Sequence, residues 1–366
     1  MIEGPPLLIV DRRRQPKVVG VMVIQRVTDP PSCEITIGNS VGCSVLEKIV
    51  PGRFDCIVCG SCVVDVLVRP VALDRPIGSG ALVRTEPLEL TTGGIVSNSG
   101  ITLARLGMHV GAFTYVGDDA WGNVIRQRFE AEGVDATHLV THLSAPSSTS
   151  AVIVNEQGDR SFLHAAGAPK MLDKRFMLDH LDLFARSRAM LLGYYPLLPN
   201  LQDDLPEVLA AIRETGCMTA LDASGDGGEM GQLKPCLPHL DFYVPSQKEA
   251  LRQTGEREPR RILEAYRSAG AVGMVGIKLG VDGALLSPAP NEFLEIQSVT
   301  PPGEVVDTTG AGDCFFGGLI AGMLNGLSPK AAGQLAAAVG ACCVTGLGAT
   351  AAIRNYDESA KLAGLG

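Results

Sequence analysis

Positive charge is in short supply. Lysine and arginine total 31 against 40 aspartates and glutamates, a formal net charge of −9. The one basic cluster, Arg12-Arg13-Arg14, is short and lies in an atypical N-terminal stretch. A general nucleic-acid surface is therefore not expected. The Gly-x4-Gly-Lys-Ser/Thr phosphate loop is absent, which disfavours the P-loop phosphotransferases. No signal peptide is visible: Glu3 stands where a positive n-region belongs, and no apolar h-region with a cleavage site follows. Large aliphatics are sparse in the longest uncharged run, Ala331–Ile353, which is mostly Ala and Gly with Gln334, Thr345 and Thr350 inside it. That composition predicts a tightly packed buried helix plus a loop, not a membrane span. A metal frame is missing as well. Cys56, Cys59 and Cys62 are spaced as C-x2-C-x2-C, but strand alternation puts Cys56 and Cys59 on opposite faces and no fourth ligand is near. Ten scattered cysteines then read as free thiols, which fit a reducing cytoplasm.

What is present from Phe54 onward is a strand-then-helix alternation. Strand-like pieces are Cys56–Cys59, Val110–Tyr115, Ala189–Leu192, Thr219–Leu221, Phe242–Val244 and Val275–Lys278. Helical pieces are Ser97–Leu106, Trp121–Glu132, Leu205–Glu214, Lys248–Gln253, Arg260–Ser268 and Cys314–Leu324. This order predicts an α/β fold with a mostly parallel sheet covered on both faces, its ligands beyond the C-terminal strand edges. Two stretches break the pattern with β-type alternation and no helix, residues 63–90 and 149–164, the second folding about the turn Glu156-Gln157-Gly158-Asp159. They read as a small sheet standing off the main body. Residues 1–53, rich in Pro and Val, fit neither pattern and form an N-terminal extension of unassigned role. The expected α/β body spans 54–355, leaving 356–366 as a C-terminal tail.

The most informative run is residues 305–324, VVDTTGAGDCFFGGLIAGML. Val305-Val306 suggest a strand; a polar turn, Asp307-Thr308-Thr309, follows; Gly310-Ala311-Gly312 bend into an apolar helix that begins near Asp313. Small residues there let several N–H groups point at one anion, and the helix dipole adds positive charge. A carboxylate in that turn would repel a resident anion. It makes sense as a base beside a phosphoryl group. The run closely resembles the C-terminal signature of the ribokinase-like (PfkB) carbohydrate kinases, matching at every position of Asp-Thr-Thr-Gly-Ala-Gly-Asp. The resemblance implies a three-layer α/β/α body with a β lid formed by the two irregular stretches. It also implies Asp313 as general base and the amides of Gly310, Ala311 and Gly312 as anion hole, with Thr308 beside the nucleotide.

Further elements resemble the same family in the same order. Asp65, after Gly60-Ser61, is placed to accept from two sugar hydroxyls, and Gly93-Gly94 with Asn98 resembles the element that holds the same sugar. Taken alone, Asp65 reads as a turn residue and Asn98 as part of a first helical turn. Asp118-Asp119 reads as an acidic cap on the helix holding Trp121. Val244–Glu249 resembles an Asn-x-x-Glu element in which the Glu organises magnesium, largely through water; here Ser246 replaces the Asn, and Ser-cap with Glu is an equally simple reading. Lys278, Gly280 and Gly283 resemble the strand-turn beside ATP, and Gly348 the loop that closes on adenine. Lys278 reads as well as a surface lysine after a strand. Ala352 stands where several members carry a serine that holds potassium together with Asp307 and Thr309, so monovalent-cation activation is in doubt.

The expectation is an ATP- and Mg2+-dependent kinase phosphorylating a hydroxyl of a small sugar. Alternatives are a nucleoside kinase of the same family or a non-catalytic sugar or nucleotide sensor. Aromatic content of 5%, with Phe162 the one lid aromatic singled out, favours a sugar over a nucleoside, whose base needs an apolar slot. Gly346-x-Gly348-x-x-Ala351 imitates a dinucleotide loop but lies too near the C-terminus for a βαβ unit to follow. An open lid edge could pair with a second lid in a homodimer.

Overall fold

The computed structural model describes residues 53–78, 80–224 and 227–366, so the extension anticipated over 1–53 lies almost wholly outside the described residues. In chain order the strands are β1 (Phe54–Gly60), β2 (Val63–Val68), β3 (Glu89–Gly93), β4 (Val110–Gly117), β5 (Leu139–His142), β6 (Ser148–Val154), β7 (Arg160–Ala165), β8 (Ser187–Gly193), β9 (Met218–Asp222), β10 (Phe242–Tyr243), β11 (Met274–Lys278), β12 (Ala284–Ser287) and β13 (Leu294–Ile296). Alternate residues of β1 part company. Cys56 and Val58 join one apolar cluster, while Ile57 and Cys59 join another on the opposite face. A strand apolar on both sides must be covered on both sides. Helices Gly94–Arg105, Ala120–Glu132, Ala311–Leu324 and Pro329–Cys343 cover one face. Leu205–Glu214, Gln247–Thr254 and Pro259–Ser268 cover the other. The result is three layers, α/β/α.

The main sheet runs β13-β12-β11-β10-β9-β8-β1-β4-β5, parallel from β5 to β11, with β12 antiparallel to both its neighbours. Strand order reverses at β1: the chain fills β4 and β5 on one side, then returns to β8 on the other. A reversal of this kind opens a crevice beyond the C-terminal strand ends. At that edge a Cβ on Gly60 (φ +113°) would lie 2.1 Å from the Gly193 carbonyl, so only glycine lets the ends of β1 and β8 come together.

The second sheet, β3-β2-β6-β7, is the lid. Its register sets Asp65 opposite Thr91 and Ser150, and Ser150 opposite His164, in one polar row. The neighbouring row, Leu90-Val66-Ala151-Leu163, points the other way, and Leu90 and Leu163 are exposed. The expected alternation over 63–90 holds only at its two ends; the stretch between β2 and β3 carries no strand.

Three local expectations change. Val305-Val306 are exposed, irregular chain rather than a strand: the Val306 N–H goes to the Val344 carbonyl at the end of helix Pro329–Cys343 and not to a strand ladder. Residues 356–366 are not a bare tail: Asn355 caps a helix, Tyr356–Leu362, whose Tyr356 and Ala360 pack on the core. Val244 falls outside β10, which is only two residues long. Asp119 does cap its helix, accepting from Gly122 N at 2.8 Å, and also holds Ser147. Ala331–Ile353 resolves into a helix and a loop, and among the described residues no helix is long and apolar enough to cross a membrane.

Arg105 ties this scaffold behind the site. Its guanidinium forks onto Glu132 with two 2.8 Å bonds and reaches the Thr350 and Ile353 carbonyls. Arg105→Met keeps the stem and removes those bonds, so urea denaturation is expected to show a loss of about 1.5–3 kcal/mol. An unchanged midpoint would mean the fork contributes nothing.

Candidate active site

The turn at residues 307–313 is built around a start that no side chain caps. Gly310 is the N-cap of helix Ala311–Leu324 at φ +74°, and a Cβ there would lie 2.3 Å from Ala349 Cβ. The first amides of a helix have no partners within it, and the dipole makes them an anion site. The Ala311 N–H already turns toward the Thr308 carbonyl at 3.3 Å, so the amides that follow it are the better donors. Upstream, buried Asp307 fixes the loop: Oδ1 accepts from Thr309 N and Oδ2 from Gly348 N, each at 2.7 Å.

Asp313 lies in the first helical turn, buried to 6% exposure. Its Oδ2 accepts from Asn98 Nδ2 and from Tyr194 Oη, both at 2.7 Å. Burial pushes the carboxyl above its ordinary value, opposed by the Asn98 and Tyr194 bonds and by the nearby Lys278 charge. Burial also keeps the Tyr194 hydroxyl protonated, hence a donor. Tyr194 directly follows β8 and sits at φ +61°, an uncommon conformation for a bulky residue. That backbone delivers its ring to the crevice.

Beside the turn is a cleft of about 690 Å³. Strand ends furnish its charges: Asp222 ends β9 and Lys278 ends β11, with Nζ 3.1 Å from Asp222 Oδ2. Burial raises the Asp222 carboxyl to about 7 although Lys278 pulls it down, with Asp313 and Glu249 adding to the rise. Burial works against the Lys278 ammonium, yet Asp222, Glu249 and Asp313 outweigh it and hold its pKa up. Glu249 completes a capping box with Ser246, its Oε2 accepting Ser246 N at 2.7 Å, and still lines the cleft. The opposite wall is apolar, with Val299, Phe315, Ala337, Ala341 and Val344.

A match to the pfkB family carbohydrate kinase model covers residues 54–355. This chain is a pfkB-family carbohydrate kinase. Among curated relatives of this kinase, 2-dehydro-3-deoxygluconokinase of Bacillus subtilis is 31% identical over 263 residues, 68% of this chain and 79% of that protein. Aminoimidazole riboside kinase of Salmonella typhimurium is 30% identical over 239 residues, 62% of this chain and 72% of that one. Arabidopsis thaliana ribokinase complexed with ribose and ATP has the same fold, with a TM-score of 0.73 at 23% identity, covering 85% of this chain and 99% of its own.

Within the kinase, Lys278, Gly280, Gly283, Thr308, Gly310, Ala311, Gly312, Asp313 and Glu249 all border the one cleft. Asn98 meets it through Asp313. Gly93 lies against Asp65, where a Cβ would be 2.3 Å from Oδ2, and Gly94 begins the Asn98 helix at φ +78° beneath the Ser61 carbonyl. Gly348, expected beside adenine, does not border the cleft; its N–H is committed to Asp307, and its loop neighbour Leu347 packs under the lid. Lys278 is largely enclosed, its side chain 11% exposed, rather than free on the surface. Tyr194 and Asp222 were not legible: each follows or ends an ordinary apolar run with no motif around it.

Lys278→Met would strand a buried carboxylate, at an expected cost of about 3–5 kcal/mol in urea denaturation near neutral pH. Folded Asp222 holds its proton more tightly than the unfolded 3.8, so its burial lowers stability as pH rises from about 4 to about 7. Without Lys278, which pulls the carboxyl down, that loss should extend further upward in pH. A variant matching the parent above neutrality would contradict the pairing.

Proposed function

We propose that the kinase transfers the γ-phosphoryl group of ATP to a hydroxyl of a small sugar, with Asp313 as general base. The observation that carries this reading is the Asn98–Asp313 pair. Asn98 donates to the base, while its own Oδ1 is buried and, among the described residues, has no partner. A buried acceptor left unpaired costs about 1–3 kcal/mol, and a substrate hydroxyl would satisfy it. The lid's polar row adds groups for further hydroxyls: Ser150 Oγ lies 3.0 Å from His164 Nδ1, and Asp65, raised by burial, is held by Ser150 and His164.

In this reading Asp65 and Asn98 orient the acceptor, and Gly93 and Gly94 bring the two elements together. Asp313 takes the hydroxyl proton as the oxygen attacks. The amides from Gly310 to Asp313 face the charge on the moving phosphoryl group, and Lys278 adds its cation beside Gly312, whose carbonyl lies 3.4 Å from Nζ. The apolar wall suits adenine, with Gly280, Gly283 and Thr308 along the nucleotide's path. Glu249 is the residue to hold magnesium, through water, with Asp222 beside it; each carboxylate keeps an oxygen beyond its described bond, which suits a hard cation. Magnesium would supply neutralising charge on the phosphates. Exposed Leu90 and Leu163 on the lid's far face support pairing of two lids in a homodimer. Eight described cysteines, all buried and free, support a reducing compartment such as the cytoplasm.

ADP release should be measured over ribose, fructose, 2-dehydro-3-deoxygluconate and adenosine. A sugar is expected to turn over fastest; preference for adenosine would select the nucleoside reading, and no turnover on any acceptor the sensor. Asp313→Asn should fold and bind ATP but lose roughly 10²–10⁴-fold in kcat. Near-normal turnover would remove Asp313 from the mechanism. The base works deprotonated, so kcat/KM should fall on acidification, with a limb above the ordinary 3.8. Tyr194→Phe deletes a bond that holds that pKa down, so the limb should move to higher pH; a fixed limb or a downward shift would show that Tyr194 does not tune the base.

A further inference from the structure

The lid and the phosphate turn are joined by one ion pair. Arg160 opens β7, and its guanidinium contacts both the Asp307 carboxylate and the Thr309 hydroxyl. Asp307 is only 4% exposed. Withdrawing a carboxylate from water demands compensation. Two amides supply part of it, and among the described residues Arg160 is the cation paired with it. Despite burial, Asp307 is held below the usual carboxylate range, by Arg160 first among its partners and then by the Thr309 and Gly348 amides.

The geometry is asymmetric in a useful way. Asp307, Thr309 and Gly348 belong to the body, and two of them lead straight into Gly310. Arg160 belongs to the lid, whose strand β7 is otherwise largely exposed and shares its register only with β6. A lid that swings away carries the counter-charge with it and leaves a buried carboxylate unpaired within a few residues of the anion-binding amides.

We propose that Arg160 is a positioning residue: a lid-borne cation that holds Asp307 and Thr309, and through them the Gly310–Asp313 turn, in the reactive arrangement. Lid closure and assembly of the phosphate site are then one event. The kinase also brings its own cation to this carboxylate, so the parent enzyme needs none from solution there.

Arg160→Met keeps the stem and removes the charge; Arg160→Lys keeps a charge without the fork. With the fastest acceptor of the parent enzyme, kcat of the Met variant is expected to fall about 10–100-fold, more than KM for ATP changes, as for a misplaced catalytic group. Added guanidinium or potassium ions should restore part of that kcat in the Met variant while leaving the parent unaffected, and the Lys variant should lie between the two. Hydrogen exchange at amides 308–313 should quicken in the Met variant, a readout that needs no acceptor and so separates this proposal from the choice of substrate. Unchanged kcat would overturn the proposal. So would a loss that neither ion relieves, with those amides as protected as in the parent.

Discussion

Buried negative charge around an open helix start is the constraint on which this site depends. Asp222, Glu249, Asp307 and Asp313 are each nearly removed from water. Each must therefore be held by donors or by a cation, and each solves this differently. Among the described residues, Asp222 has Lys278, Asp307 has Arg160 and two amides, Glu249 has the amide of its own cap, and Asp313 has neutral hydrogen-bond donors, Asn98 and Tyr194. Neutral donors hold a carboxylate in place without the strong pKa depression of a bound cation. That environment suits the role of base proposed for it, holding the carboxylate in place while leaving its pKa raised by burial.

The scaffold makes this arrangement possible by bringing strand ends to one edge. β8, β9 and β11 deliver Tyr194, Asp222 and Lys278, while helix starts deliver Asp313, Glu249 and Asn98. Two buried faces on the sheet leave little freedom in how these ends sit, so positions are set by core packing rather than by the loops themselves. The lid is different. Its own apolar core is three residues with Leu347 beside them, so its position must depend on contacts to the body, and the Arg160 pair is one of them.

Much of the fold was legible because it rests on local rules. The strand-helix alternation, the lid's two chain segments and the buried Ala-rich helix each follow from periodicity within a short window. So does the cap reading of Asp119 and Ser246. Val305-Val306 misled for the opposite reason: β-branched residues favour a strand only where a neighbour offers a ladder, and here the Val306 N–H meets a helix end, the Val344 carbonyl, instead. For Gly348 the sequence says only that the loop backbone is special, not which group it meets; the structure shows its N–H on Asp307.

The amino-acid order by itself determined the local form of residues 307–313, since a helix start, its glycines and its carboxylate lie within a few residues of chain. It could not determine Asn98 and Tyr194 as partners of one carboxylate oxygen, Asp222 beneath Lys278, or Arg160 reaching across 147 positions to Asp307. Those residues carry no pattern of their own. Their meaning comes from sheet order and lid register, which bring distant strand ends within bonding distance where the side chains are largely shielded from solvent and an unmatched charge is costly.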